Sequence, residues 1–150
     1  MTHWHNRFLQ LAKHVSSWSK DPSTKIGAVI VNPETQQVIS MGYNGFPRGV
    51  EDSTERLSDR EIKYKLVVHG ELNAILNANQ SVRGYDIYVY PTLMIPNSCP
   101  ECSKAIVQSG IKRIYGYKND NIQPRWQELA KYSDILLREG GVEFIMIEEQ

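Results

Sequence analysis

DIYVYPTLMIPNSCPECSKAIVQSGIKRIYGY, residues 86–117, is the stretch that decides the fold. Asp86 to Tyr90 is short, apolar and rich in β-branched and aromatic residues, the composition of a strand. Cys99 to Ser109 reads as a helix with Ala105 and Ile106 on its apolar side. Gly110 follows where a left-handed residue closes such a helix. Ile111 to Tyr117 is a second strand. A strand, a helix and a strand in succession form a crossover that returns the second strand parallel to the first.

The alternation continues outward in both directions. Arg125 to Glu139 is a helix carrying Trp126, Leu129, Leu136 and Leu137, closed by Gly140-Gly141, and Val142 to Ile147 is the last strand. Upstream, a helix begins near His69 with Leu72, Ile75 and Leu76 on one face. Ile26–Val31 and Val38–Met41 flank the turn Asn32-Pro33-Glu34-Thr35 and predict an antiparallel hairpin. Trp4, Phe8, Leu11, Val15 and Trp18 recur at helical spacing, which predicts an N-terminal helix capped by Thr2 and ended at Asp21-Pro22. Residues 46–66 are polar. Within their mixed-charge run Ser58 is expected to cap a short helix to Lys65, with Glu61 at the capping-box position. The order is α-β-β-α-β-α-β-α-β, a layered α/β domain occupying residues 1–150.

Composition agrees. With 150 residues, 41% hydrophobic and 23% charged, the chain has the make-up of one globular domain. Lysine plus arginine balance aspartate plus glutamate, 17 against 17, which argues against a nucleic-acid or anionic-membrane partner. No apolar run approaches the length of about 18 residues that spans a bilayer, and Met1-Thr2-His3-Trp4-His5 does not open a secretory signal. Only two cysteines are present, Cys99 and Cys102, which points to a reducing, cytoplasmic setting.

Those cysteines allow a metal half-site, a redox pair or coincidence. The context favours metal. His69-Gly70-Glu71 stands at one helix start and Cys99-Pro100-Glu101-Cys102 at the next. One imidazole and two thiolates suit zinc, and three protein ligands leave a fourth position for water, the mark of a catalytic site. Helix N-termini favour the thiolate form. Glu71, two residues after His69, is placed to act as general acid and base on that water. His3, His5 and His14 fall on the first helix and read as surface or partner-facing residues.

This constellation resembles the zinc-dependent cytidine/deoxycytidylate deaminase superfamily, with its His-x-Glu and Pro-Cys-x-x-Cys signature. Asp21-Pro22-Ser23-Thr24-Lys25-Ile26-Gly27-Ala28 resembles the first-strand motif of the deoxycytidylate branch, and Gly42-Tyr43-Asn44-Gly45-Phe46-Pro47-Arg48-Gly49 resembles its Gly-Tyr-Asn-Gly loop. Three departures stand out: Gly70 for alanine, Ser98 for proline, and a stretch 93–98 about three residues longer.

The resemblance implies a three-layer α-β-α fold on a five-stranded mixed sheet whose last two strands are parallel. It also implies Zn²⁺ on His69, Cys99 and Cys102. A zinc-activated water would attack C4 of dCMP while Glu71 moves protons to N3 and to the departing amine, giving dUMP and ammonia for thymidylate synthesis. Ser23, Lys25, Asn44 and Tyr117 match substrate positions. Gly42, Tyr43, Gly45, Arg48, Glu51 and Asp52 match a loop that takes a dCTP or dTTP effector with Mg²⁺. A homo-oligomer, a hexamer by resemblance, is implied as well. The rivals are a tRNA adenosine deaminase, disfavoured by the neutral charge, a free-cytidine deaminase, disfavoured by the helix at 125–139, and a non-catalytic zinc-binding module, disfavoured by Glu71.

Overall fold

The computed structural model describes the backbone of residues 2–150 and side chains from residue 3. Eleven elements follow in order: α1 Thr2–Ser16, β1 Gly27–Asn32, β2 Gln37–Tyr43, α2 Thr54–Ser58, α3 Arg60–Leu66, α4 Gly70–Asn77, β3 Asp86–Tyr90, α5 Pro100–Ser109, β4 Arg113–Tyr117, α6 Pro124–Glu139 and β5 Glu143–Ile147. The sheet order is β2-β1-β3-β4-β5. β1 pairs antiparallel with β2 and β3, whereas β3–β4 and β4–β5 are parallel. This is the expected five-stranded mixed sheet.

Strand alternation sends successive side chains to opposite faces. Ala28, Ile30, Ile87, Val89 and Ile114 face one layer, where Ala74 of α4, Ile106 of α5 and Leu137 of α6 complete an aliphatic core. Val29, Val31, Tyr88, Tyr115 and Tyr117 face the other, where Phe8, Leu9 and Ala12 of α1 cover them. The result is the three-layer α-β-α sandwich.

Four local expectations are corrected. α1 ends at Ser16 in a turn, before Asp21-Pro22, so Trp18 lies beyond the helix and is exposed. Leu76 is also exposed, because α4 buries Gly70, Glu71 and Ala74 instead. Residues 54–66 form two helices, and Asp59 caps the second by accepting from the N–H groups of Glu61 and Ile62, so Ser58 ends a helix rather than starting one. His5 is not a surface residue: its Nδ1 lies 2.7 Å from the Tyr88 hydroxyl and its ring stacks on Tyr115. The side chain of Thr2, expected as a cap, lies outside the described residues. Among the described residues no helix is long and apolar enough to cross a membrane.

Candidate active site

The floor of the site is made where α4 and α5 begin. His69 is the N-cap of α4 but makes no side-chain capping bond, so its imidazole is free to turn toward α5. Cys99 is the N-cap of α5, and its Sγ accepts the N–H of Cys102 at 3.4 Å. α4 and α5 pack against each other, and close packing under them fixes their spacing. Gly42 of β2 is part of that packing: a Cβ there would collide with backbone atoms of Gly70 and Ala74. Ser98, just before Cys99, is tied to α6 through its carbonyl, which accepts from Ser133 Oγ at 2.6 Å.

His69 Nδ1 lies 3.2 Å from Cys99 Sγ and 3.4 Å from Cys102 Sγ. All three donor atoms fall within 4.8 Å of one another. A tetrahedral zinc with bonds of about 2.3 Å to sulfur and about 2.0 Å to nitrogen needs its ligands roughly 3.5–3.8 Å apart. The donor set therefore fits zinc in both chemistry and spacing. The neighbouring Cys102 and His69 hold the Cys99 thiol down to about 4 against the effect of burial. The neighbouring Cys99, burial and the nearby Glu71 push the Cys102 thiol up, so a metal bound here would displace its proton. The hydrogen bond to Cys99 raises His69 against the effect of burial.

Glu71 stands on the first turn of α4, only 4% exposed, and its Oε1 has no hydrogen-bond partner. Burial, and then the Cys99 charge, raise its carboxyl above the ordinary range. A buried, unpartnered carboxylate oxygen is costly to keep in a fold. Its position beside the three ligands points to a partner that arrives with metal and substrate.

Above this floor a cleft of about 310 Å³ opens, lined by Asp21, Ser23, Asn44, Lys63, Leu93 and Arg125 among others. The 21–26 loop forms one wall. Asp21 Oδ1 accepts from the N–H groups of Ser23 and Thr24 and from Ser23 Oγ. Lys63 of α3 reaches over to donate to Asp21 Oδ1 at 3.1 Å and Ser23 Oγ at 2.8 Å, an ion pair whose side chains are 7% and 6% exposed. Asn44 holds the loop from behind, accepting from Ile26 N and donating to the Thr24 carbonyl, both at 2.8 Å. The 91–98 loop forms another wall. Its Asn97 donates to the Pro91 carbonyl and accepts from Leu93 N.

Of the residues singled out from sequence, His69, Glu71, Cys99, Ser23 and Asn44 line this cleft, and Cys102 completes the cluster beneath it. Lys25 does not: it is exposed, and its ammonium donates to the Ser19 carbonyl. Tyr117 does not either. It is buried on the α1 face, donating to Asn6 Oδ1 at 2.6 Å and accepting from Gln10 Nε2 at 3.0 Å. The residues expected to hold an effector lie outside this cleft and have contacts of their own. Gly42 packs on α4, Tyr43 meets Trp18 edge to face, and Gly45 pairs with Val68. Arg48 donates to Asn77, Asp52 pairs with Lys20, and Glu51 is exposed. Sequence reasoning missed Asp21 and Lys63 as a pair, along with Arg60 and Arg125. A lysine and an aspartate 42 positions apart leave no periodic signal.

Comparison with known proteins gives the same result. The family model of the cytidine and deoxycytidylate deaminase zinc-binding region matches residues 2–118. An uncharacterized deaminase of Aliivibrio fischeri is 41% identical over 143 residues, covering 93% of this chain and 90% of that one. The deoxycytidylate deaminase of Mus musculus is 40% identical over 147 residues, covering 94% and 78%. The dCMP deaminase of the cyanophage S-TIM5, crystallised with dCMP and dUMP, shares the fold at a TM-score of 0.74 and 22% identity, covering 98% of both chains. With His69, Cys99 and Cys102 converging beside Glu71 on that fold, the chain belongs to the cytidine and deoxycytidylate deaminase family.

Proposed function

We propose that the protein deaminates dCMP, consuming water and releasing dUMP and ammonia. The observation that carries the proposal is the buried Oε1 of Glu71, unpartnered and next to the His69–Cys99–Cys102 cluster at the bottom of an open cleft. Relatives named deoxycytidylate deaminase support the choice of substrate.

His69, Cys99 and Cys102 would hold zinc, which supplies a Lewis acid that makes water nucleophilic near neutral pH. Glu71 does the proton work: its carboxylate takes one proton of the attacking water and delivers it to the ring nitrogen, then takes the second from the hydroxyl added at C4 and delivers it to the amine as the C4–N bond breaks. Burial suits it to the task, because a raised carboxyl affinity lets the group hold a proton between the two transfers. The Asn44 and Lys63 bonds keep the wall around the base in place, and Leu93 and Met94 exclude bulk water from the other side. A reducing cytoplasm keeps the two sulfurs available as ligands. Association into a homo-oligomer is part of the same reading, supported by the exposed Leu129, Tyr132 and Ile135 on α6. An effector triphosphate with Mg²⁺ has no support from this site, where Arg48 donates to Asn77 and Asp52 pairs with Lys20.

The test is ultraviolet absorbance loss on dCMP, deoxycytidine, cytidine and dCTP in parallel, together with metal analysis. The expected outcome is about one zinc per chain and fastest turnover of dCMP. Chelation should abolish turnover and zinc should restore it. No turnover of any cytosine compound by the zinc-loaded protein would overturn the proposal.

A further inference from the structure

The mouth of the cleft carries positive charge that the deamination chemistry does not use. Three cationic side chains line it beside His69: Arg60, Lys63 and Arg125. Lys63 is committed to Asp21 and Ser23, which neutralises the one acidic group at the mouth. Arg60, the first residue of α3, and Arg125, in the first turn of α6, come from different elements into the same cleft. Among the described residues neither guanidinium has an ion-pair or hydrogen-bond partner. Arg125 instead lies 4.8 Å from the centroid of the Trp126 ring. A guanidinium stacked on an indole uses its face and leaves its in-plane N–H donors free, the edge that pairs with phosphate oxygens. The start of α6 adds to this field, since its cap residue Gln123 makes no side-chain capping bond. By contrast, Lys25 and Arg48, the cations that sequence motifs suggested, face the Ser19 carbonyl and Asn77 outside the cleft.

We propose that Arg60 and Arg125 are the specificity-determining pair that grips the phosphate of the substrate nucleotide, so that the enzyme selects a nucleotide over its nucleoside. This rests on the deaminase reading above and adds which residues read the anion. Both side chains belong to exposed residues, so their removal leaves the core intact.

The experiment is kcat/KM for dCMP and deoxycytidine with wild type, Arg60→Ala, Arg125→Ala and the double variant, each checked for zinc content. A charge-assisted hydrogen bond to phosphate is worth roughly 10- to 150-fold. Each single variant is expected to lose about tenfold or more on dCMP, mainly in KM, with deoxycytidine unchanged. The preference for dCMP should nearly vanish in the double variant. A dCMP preference that survives in the double variant would overturn the clamp while leaving the deaminase intact. An equal loss on both substrates would overturn it too, by making the arginines supports of the wall. If wild type turns over neither substrate, the deaminase reading itself fails, a result separate from either of these.

Discussion

The two faces of the sheet differ in what they bury. Under α4, α5 and α6 the side chains are small and aliphatic, with Ala28, Ile30, Ala74, Ile106 and Ile114 at or near complete burial. Under α1 they are large and aromatic: Tyr88 and Tyr115 stack 4.7 Å apart at 10°, His5 lies on Tyr115, and Phe8 tilts against Tyr88. Neighbouring residues of the same strand supply both sets. Small residues let helix starts approach closely, and close helix starts bring His69, Glu71, Cys99 and Cys102 together. Aromatics fill volume and hold α1 in place. The chemistry therefore belongs to one face and α1 is support, which gives each face its own signature under mutation.

The largest effect should come from the chemical face. Glu71→Gln keeps the volume and removes the proton carrier, and a positioned acid/base contributes typically about 10²–10⁴-fold. Loss of at least that size in kcat is expected, with zinc content kept. Stability should hold or rise, because the carboxylate's burial without a partner at Oε1 is unfavourable. Activity within tenfold of wild type would remove Glu71 from the reaction.

Next is the pair that joins α3 to the cleft wall. Asp21→Asn leaves the Lys63 ammonium buried without its counter-charge, a change that costs about 3–5 kcal/mol. The pH dependence follows from the same contacts. Burial works to raise the Asp21 carboxyl, but the N–H groups of Ser23 and Thr24, the Lys63 ammonium and the Ser23 hydroxyl outweigh it and hold it below the ordinary range. A carboxyl lowered in the folded state stabilises above its unfolded value of about 3.9, and that stability is lost as pH falls through the lower folded value. Urea midpoints between pH 7 and pH 3 should therefore fall more steeply for wild type than for the variant, the difference appearing below about pH 4. Parallel curves would show that Asp21 is not held in this way.

The α1 face should respond in stability alone. Leu9 is fully buried there, and Leu9→Ala is expected to cost about 2–5 kcal/mol. At a temperature where the variant is folded, kcat/KM for dCMP should match wild type. A tenfold loss of kcat/KM in folded protein would end the division of labour between the faces.

How much of this was open to reading depends on the range of the interaction. The continuous apolar, largely β-branched run Ile26–Val31 and the strand–helix–strand run at 86–117 are local, and the sheet followed from them. The metal cluster was legible because each half is a short motif at a helix start. The Asp21–Lys63 pair was not, because a lysine inside a charged run looks solvated until the tertiary fold shows an aspartate beside it. Trp18 and Leu76 misled in the opposite sense: periodicity marks an apolar residue as inward, but α1 stops before the first and α4 turns the second outward. Tyr117 was drawn toward the substrate by motif position, yet alternation along β4 puts it on the same side as Tyr115, facing α1.

That placement makes the smallest prediction the sharpest test of the two faces. Tyr117→Phe keeps the ring in the aromatic layer and deletes the hydroxyl that bonds to Asn6 and Gln10. Gln10 is exposed and Asn6 half-buried, so both can turn to water, and the loss is expected to be about 1 kcal/mol, the ordinary net worth of such a bond. Neither kcat nor KM for dCMP should move, since the hydroxyl points into α1 while the cleft lies across the sheet, floored by α4 and α5. Thermal unfolding and steady-state kinetics on the same preparation separate the outcomes. A raised KM with an unchanged melting temperature would place Tyr117 against the nucleotide. α1 would then have to move aside during turnover, and the aromatic face would no longer be support alone.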